Sequence, residues 1–409
     1  MSGYTEDTIV HHGVLKPGIA ILHKPFTLLR PWDGKSAALG AAVLVVCASA
    51  ALTARGQAPP SAAVPVTAPA RGKALYESAC MSCHGPDGRG MPQSAVGFDL
   101  AVPDFTDCSF ATPEPDPDWL AVVQHGGPVR AFDRRMPAFG GALSADEITR
   151  ILGYMRGMCT DQNWPRGELN LPRPLRTEKA FPENEAVATT TIDGSGAGAV
   201  TTEVIYERRI GARSQYEIKV PFELQGTDAS GWQRGLGDIA IGFKRVIYHS
   251  LERGSIFSAG GEVIFPTGQE QRGLGRGTTV FEPFVLFSQM LPRDGFLHAQ
   301  VGLELPANRD RAANEAFWRV VAGRTFAEQG GAGRAWSPMV ELVAARELGT
   351  GERILWDLVP QVQVTLSTRQ HLAASAGVQV PLNERRGRGT RAMFYLLWDW
   401  FEGGFFDGW

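Results

Sequence analysis

Cysteine is absent from the last 250 of the chain's 409 residues, and the five present stand at Cys47, Cys80, Cys83, Cys108 and Cys159. A disulfide scaffold or a thiolate metal site is thereby excluded from the second half. An excess of one charge is also missing. Forty Lys and Arg face 43 Asp and Glu, for a formal net charge of −3. With no block of like charge there is no long-range field to gather nucleic acid, which is set aside as a partner. Long apolar runs are nearly missing too. Residues 36–52 form the single one, and nothing after residue 60 could make a spanning helix. The 44% apolar content excludes disorder and a collagen-like chain, and the length suits two or three folded units.

The apolar run at 36–52 follows Arg30 and Lys35 and ends in small residues around Ala51 and Ala54, which reads as an export signal. A single membrane-spanning helix is the alternative, since the run is near the shortest length that crosses hydrocarbon. Residues 1–56 are therefore expected to be an N-terminal extension with a signal or membrane segment, and 57–70 a Pro/Ala-rich linker. A folded unit at 71–163 follows. Residues 164–185 carry four prolines and no amphipathic pattern, and are expected to be a second linker. The last unit spans 186–409.

The first unit contains Cys80-Met81-Ser82-Cys83-His84. Two thiols three residues apart on a helical turn can add to the two vinyl groups of a heme, while the adjacent imidazole ligates iron from one side. A zinc half-site would need a second pair of ligands, and a thioredoxin-like pair would have no use for His84.

The surroundings resemble a class I c-type cytochrome over residues about 70–160. Gly72 to Tyr76 is similar to that family's first helix, His84 to Gly90 to its loop after the heme cysteines, and Pro103 to Thr106 also fits. Arg135-Met136-Pro137 resembles the distal ligand loop, which makes Met136 the sixth iron ligand, with His125 as competitor and Met91 an ordinary loop residue. The resemblance implies a small all-α fold holding one covalent heme c through Cys80 and Cys83, with His84 and Met136 as iron ligands. Ser144 and Glu147 form a capping box opening a helix whose apolar face is Ile148, Ile151, Leu152 and Met155. Cys108 and Cys159 remain. In an oxidising compartment they are expected to form a disulfide, the alternative being two unpaired buried thiols.

Beyond Val187 the apolar pattern switches to period two. Leu358, Val362 and Val364 alternate with Asp357, Gln361, Gln363 and Thr365; Ala299, Val301 and Leu303 alternate with His298, Gln300 and Glu304; Ile218 and Phe222 alternate with Glu217, Lys219 and Glu223. The runs are about ten residues or more, the length a tilted strand needs to cross a bilayer. About twelve are expected. They must close on themselves, because an open edge in hydrocarbon leaves backbone polar groups unpaired. A soluble β-sandwich would share the alternation. Seven of the ten tryptophans lie beyond residue 200, and Phe405 to Trp409 resembles the aromatic-ended last strand of a bacterial outer-membrane barrel, transporter-like in its class, over about 185–409. Glu262, Glu282, Arg319 and Glu341 are expected on a face lining water.

The expected protein is thus a two-domain monoheme cytochrome held at the periplasmic face of the outer membrane by an antiparallel transmembrane β-barrel. It would exchange electrons with periplasmic redox proteins or other cytochromes and would turn over no substrate. Peroxidase or oxidase chemistry would need an open iron position. The alternative makes the barrel a channel or transporter for a small solute, with the cytochrome as plug or redox sensor.

Overall fold

The computed structural model describes residues 68–97, 101–227, 231–385 and 388–400. The export segment at 36–52, nearly all of the linker at 57–70 and the terminal Phe405–Trp409 lie outside the described residues.

Among the described residues six α-helices come first: α1 Ala68–Ala79, α2 Met81–His84, α3 Gln93–Val96, α4 Cys108–Ala111, α5 Asp116–His125 and α6 Ala145–Arg156. The capping box that opens α6 is present, the Ser144 N–H donating to Glu147 Oε2 at 2.8 Å. Its buried face is Ile148, Ile151, Leu152 and Met155, the stripe expected from helical spacing. α1 crosses α6 closely enough to require glycine. A Cβ on Gly72 would stand 2.4 Å from the Arg150 carbonyl oxygen, and next to it the Tyr76 and Tyr154 rings meet at 5.3 Å between centroids. Cys108 and Cys159 are joined by a disulfide, their Cα atoms 5.1 Å apart, so the start of α4 is tied to the chain just beyond α6.

Among the described residues fourteen strands follow: β1 Glu185–Asp193, β2 Ala199–Ile210, β3 Ser214–Thr227, β4 Gly231–Leu236, β5 Ala240–Ser250, β6 Ser255–Ile264, β7 Val280–Leu291, β8 Gly295–Pro306, β9 Glu315–Arg324, β10 Phe326–Ala327, β11 Ala335–Glu347, β12 Leu355–Thr365, β13 Leu372–Pro381 and β14 Arg391–Asp399. β4 and β5 pair with successive parts of β3, and β10 extends β9 against β11. The barrel therefore has twelve staves, each antiparallel to the next. β14 pairs with β1 from Glu185↔Asp399 to Asp193↔Arg391, and β9 bonds to both β8 and β11, so no edge is left.

Closure fixes two faces, because successive side chains of a strand point to opposite sides. Val204, Phe243, Val285, Val301, Val340, Val362, Phe394 and Leu396 are exposed on the outside, an apolar belt running round the barrel. Glu217, Lys244, Glu262, Gln300, Glu341, Asp357 and Gln379 are buried inside. An apolar exterior over a closed polar interior is the pattern of a membrane-spanning barrel; a water-soluble one reverses it. Among the described residues no helix is long and apolar enough to cross a membrane.

The two ends of the barrel differ. Residues 211–213, 251–254, 292–294 and 366–371 make short turns at one end, where β1 starts and β14 stops and where 325–334 makes the one longer connection; at the other end 194–198 is short and 265–279, 307–314 and 382–390 are longer. The helical region lies against the short-turn end. Arg130 donates to the carbonyls of Gly331 and Ala332 at 2.6 and 2.8 Å, and His371 Nε2 meets Glu114 Oε1 at 2.7 Å.

Residues 166–184 do more than separate the two halves. The segment passes through the lumen and is bonded to strands all round it. Leu175 N donates to Gln361 Oε1 at 2.9 Å and Glu178 N to Gln300 Oε1 at 3.1 Å, while Lys244 Nζ donates to the Lys179 carbonyl at 2.7 Å and Ser258 Oγ to that of Ala180 at 2.6 Å. A strand-free segment can sit here because the inward side chains supply the hydrogen-bond partners that a ladder would, and its three prolines have no N–H to satisfy. The expectation that Glu341 lines water is corrected by the same geometry: this carboxylate is fully buried and accepts from the backbone of residues 176 and 177.

Candidate functional site

The C-x-x-C-H run forms one tight turn. Cys80 caps α2, and its carbonyl accepts from Cys83 N at 3.1 Å and His84 N at 2.9 Å, which puts both thiols and the imidazole on successive corners of a single helical turn. The chain then folds back: Gly90 N donates to the His84 carbonyl at 2.9 Å and Met91 N to that of Cys83 at 2.9 Å. Tyr76, wholly buried on α1, donates its hydroxyl to the Gly85 carbonyl at 2.7 Å and so clamps this loop onto the crossing of α1 and α6. Burial raises the Tyr76 hydroxyl above its ordinary pKa, keeping it a donor.

Met136 reaches the same cluster from the opposite side of the sequence. Its loop is bonded to the end of α5, with Gly127 N donating to the Met136 carbonyl at 3.0 Å and Phe139 N to the Val123 carbonyl at 2.9 Å. This close approach depends on glycine, because a Cβ on Gly127 would lie 2.3 Å from the Asp133 carbonyl oxygen and 3.2 Å from Met136 Cβ. Cys80, Phe105, Val123, Ile148 and Met155 form the buried core, and Met81, Leu120, Met136, Phe139 and Leu143 pack against it. His125 is exposed at the C-terminal end of α5, and Met91 is held in the loop beside Cys83.

Three observations test whether a heme c would fit these residues. Cys80 and Cys83 are both free thiols, although Cys108 and Cys159 of the same unit are oxidised to a disulfide. His84 Nδ1 is buried with no hydrogen-bond partner, and its ring lies on Phe105 at 4.8 Å between centroids. Burial lowers the His84 pKa to about 4, so the imidazole is neutral at pH 7, the form that ligates a metal. Burial, followed by the neighbouring Cys83, raises the Cys80 thiol to about 11. It is therefore a protonated thiol, which can add across a vinyl group but is a poor thiolate ligand for zinc. The residues fit the group.

Beside this site Arg156 ties the chain after α4 to α6. Its Nη2 donates to the Glu114 carbonyl at 2.7 Å, its Nε to Asp116 Oδ1 at 2.8 Å, and its guanidinium lies over the Trp119 ring at 3.9 Å. The sequence reading did not single out Arg156, Tyr76's hydroxyl partner or Gly127. A glycine pair following a helix is a visible signal of close approach, but its partner loop is not. The lumen residues that hold 166–184 were missed for a similar reason. Their signal was a row of inward acids, among them Glu185, Glu207, Glu262 and Glu341, with too few bases on the strands to match.

Residues 67–155 match the family model described as cytochrome c oxidase, cbb3-type, subunit III. No curated protein matches the chain. Among solved structures it is similar to an outer-membrane channel from Pseudomonas putida F1, at 13% identity and a TM-score of 0.40 over 56% of this chain and 99% of that one. It is similar also to NanC porin, at 9% identity and 0.37 over 53% and 98%. The β domain of the Bordetella autotransporter BrkA gives 14% identity and 0.35 over 53% and 98%.

Proposed function

We propose that this chain is a monoheme c-type cytochrome that carries electrons at the periplasmic face of the outer membrane, with its barrel serving as the anchor. In this reading residues 71–163 are a class I cytochrome domain of all-α fold, and 186–409 the anchor. Cys80 and Cys83 hold one heme c by thioether bonds, and His84 and Met136 ligate its iron. When bound, the heme supplies a one-electron ferric/ferrous couple. The chain's own residues do the rest. Tyr76 and the glycine loop fix the orientation of His84, the Gly126-Gly127 turn presents Met136, and the apolar side chains of α5 and α6 keep water from the group. Two protein ligands leave no open iron position, which supports a carrier over a peroxidase or oxidase. The partners this calls for are periplasmic redox proteins or other cytochromes.

The observation that carries the anchor reading is the filled lumen. The chain leaving the helical region runs through the barrel and is bonded to its walls, so the barrel grips the polypeptide that leads to the heme site. The short turns at the end where the helical region lies support a periplasmic position, since outer-membrane barrels keep short turns on that side.

Heme staining of separated inner and outer membranes, with an optical spectrum of the reduced band, tests this reading. A covalently heme-bearing band in the outer membrane with a low-spin spectrum is expected. A colourless band, or a heme band in the soluble fraction, would overturn it. Conductance of the purified protein in a planar bilayer separates anchor from channel, because a plugged barrel gives no steady current and a solute channel does.

A further inference from the structure

Beyond the plug, on the side of the longer loops, the lumen widens into a cavity of about 530 Å³ whose floor is the segment Arg173 to Glu178. Its size is that of a small-molecule site. Several of the charges around it are already matched inside the protein: Arg173 with Glu207 at 2.7 Å, Lys219 with Glu178 at 2.7 Å, and Arg276 with Glu304. Others are not. The Arg176 guanidinium is exposed in the floor and makes no hydrogen bond or ion pair with a described residue. Arg319 uses Nη1 on the Arg176 carbonyl at 2.7 Å and on Gln300 at 3.0 Å, and its Nε is buried without a partner. Neither forms an ion pair with any described carboxylate. Glu203 and Glu282 line the same cavity and are likewise unpaired among the described residues.

Strand order sets these groups apart. Arg319 is on β9 and Glu203 on β2, which stand six staves apart in a barrel of twelve and therefore on opposite walls. Glu282, on β7, is two staves from Arg319. Thr189 and Thr201, in the wall beside Glu203, offer hydroxyls as further donors and acceptors. Charges of opposite sign held apart across a concave, partly desolvated space attract a ligand that carries both signs at a matching separation.

We infer that this vestibule is a binding site for a small zwitterion entering from the long-loop end, its carboxylate on Arg319 and Arg176 and its ammonium on Glu203. The inference is independent of what the heme site does, but it requires the plug in place, since Arg176 belongs to the floor of the site.

The test is calorimetric titration of the full-length, heme-loaded protein in detergent with glycine, 4-aminobutyrate and 6-aminohexanoate, against butyrate and butylammonium as singly charged probes. At least one zwitterion is expected to bind about tenfold or more tightly than either singly charged probe. Glu203→Gln and Arg319→Gln should each remove that preference, while heat-modifiable gel mobility and the heme spectrum stay as in the parent. If Arg319→Gln fails to fold, Arg176→Gln takes its place, since that side chain holds nothing in the structure. Absence of saturable binding by all three zwitterions, equal affinity for the singly charged probes, or an unchanged preference in folded Glu203→Gln and arginine variants would each overturn the inference.

Discussion

Thr177 and Glu341 are 164 residues apart, and both the amide and the hydroxyl of Thr177 donate to one carboxylate oxygen of Glu341, at 3.0 and 2.9 Å. The other oxygen accepts from Arg176 N at 3.1 Å and from the Gln361 side chain. One inward carboxylate of β11 therefore fastens the middle of the plug. Removing it would strand several buried donors at once, each costing about 1–3 kcal/mol. Glu341→Ala is expected to loosen residues 166–184 by on the order of 3 kcal/mol and to raise bilayer conductance and proteolysis of that segment, with the barrel still heat-modifiable on gels. Unchanged conductance and cleavage would deny the plug its fastening.

Arg130 joins the helical region to the barrel. It is buried between Asp118, at 2.6 Å, and the carbonyls of Gly331 and Ala332. Arg130→Ala would leave the half-buried Asp118 carboxyl and two rim carbonyls without their partner, a change of on the order of 3 kcal/mol. The expected result is release of the helical region from the barrel rim, read as faster amide exchange in 114–132 and 328–334.

If His84 and Met136 ligate the iron as proposed, ligand identity dominates the potential. Met136→His is expected to lower the reduction potential by on the order of 100 mV and to remove the thioether-to-iron charge-transfer band, with heme still covalently attached. His125→Ala should alter neither, as that residue is exposed at the end of α5. If His125→Ala removed the low-spin spectrum and Met136→Ala did not, the ligand assignment would be reversed.

Acid should act differently on chains with and without heme. Burial depresses the His84 pKa to about 4 in the folded state, against an unfolded value near 6.5. A base depressed on folding contributes stability that is present above the unfolded pKa and lost as pH falls toward the folded one. Heme-free protein is therefore expected to lose about 3 kcal/mol between pH 6.5 and 4 from this residue. If His84 ligates the iron of the heme-loaded chain as proposed, its imidazole has no site for that proton, and chemical denaturation at the two pH values should show a smaller loss.

The Cys108–Cys159 bond closes a loop with a sequence separation of 51. On chain-entropy grounds its loss costs about 4 kcal/mol. Replacing both cysteines with serine is expected to lower the thermal midpoint of the helical region while the barrel's heat-modifiability is unaffected.

The alternation of Ile218 and Phe222 with Glu217 and Lys219, or of Val301 and Leu303 with His298 and Gln300, assigned each residue to its face before any coordinates, because a pleated strand has a fixed period. The stave count and the stripe of α6 were equally readable. So was the Cys80-Cys83-His84 turn, whose chemistry resides in five consecutive residues. The role of 166–184 was not. Three prolines with no periodicity describe a connector equally well in solvent or in a lumen, and nothing local distinguishes the two.

Period, spacing and residue type within short windows thus determined the helices, the staves, their faces and the Cys80–His84 turn, since each is governed by interactions between near neighbours along the chain. Tertiary structure alone decided that Glu341 holds Thr177, that Gly127 seats Met136, and that Arg319 and Glu203 look across one cavity. The first and third depend on ring closure and chain threading, and the second on how the loop after α5 folds back; together they join groups from nine to 164 residues apart and leave no mark on the sequence around either partner.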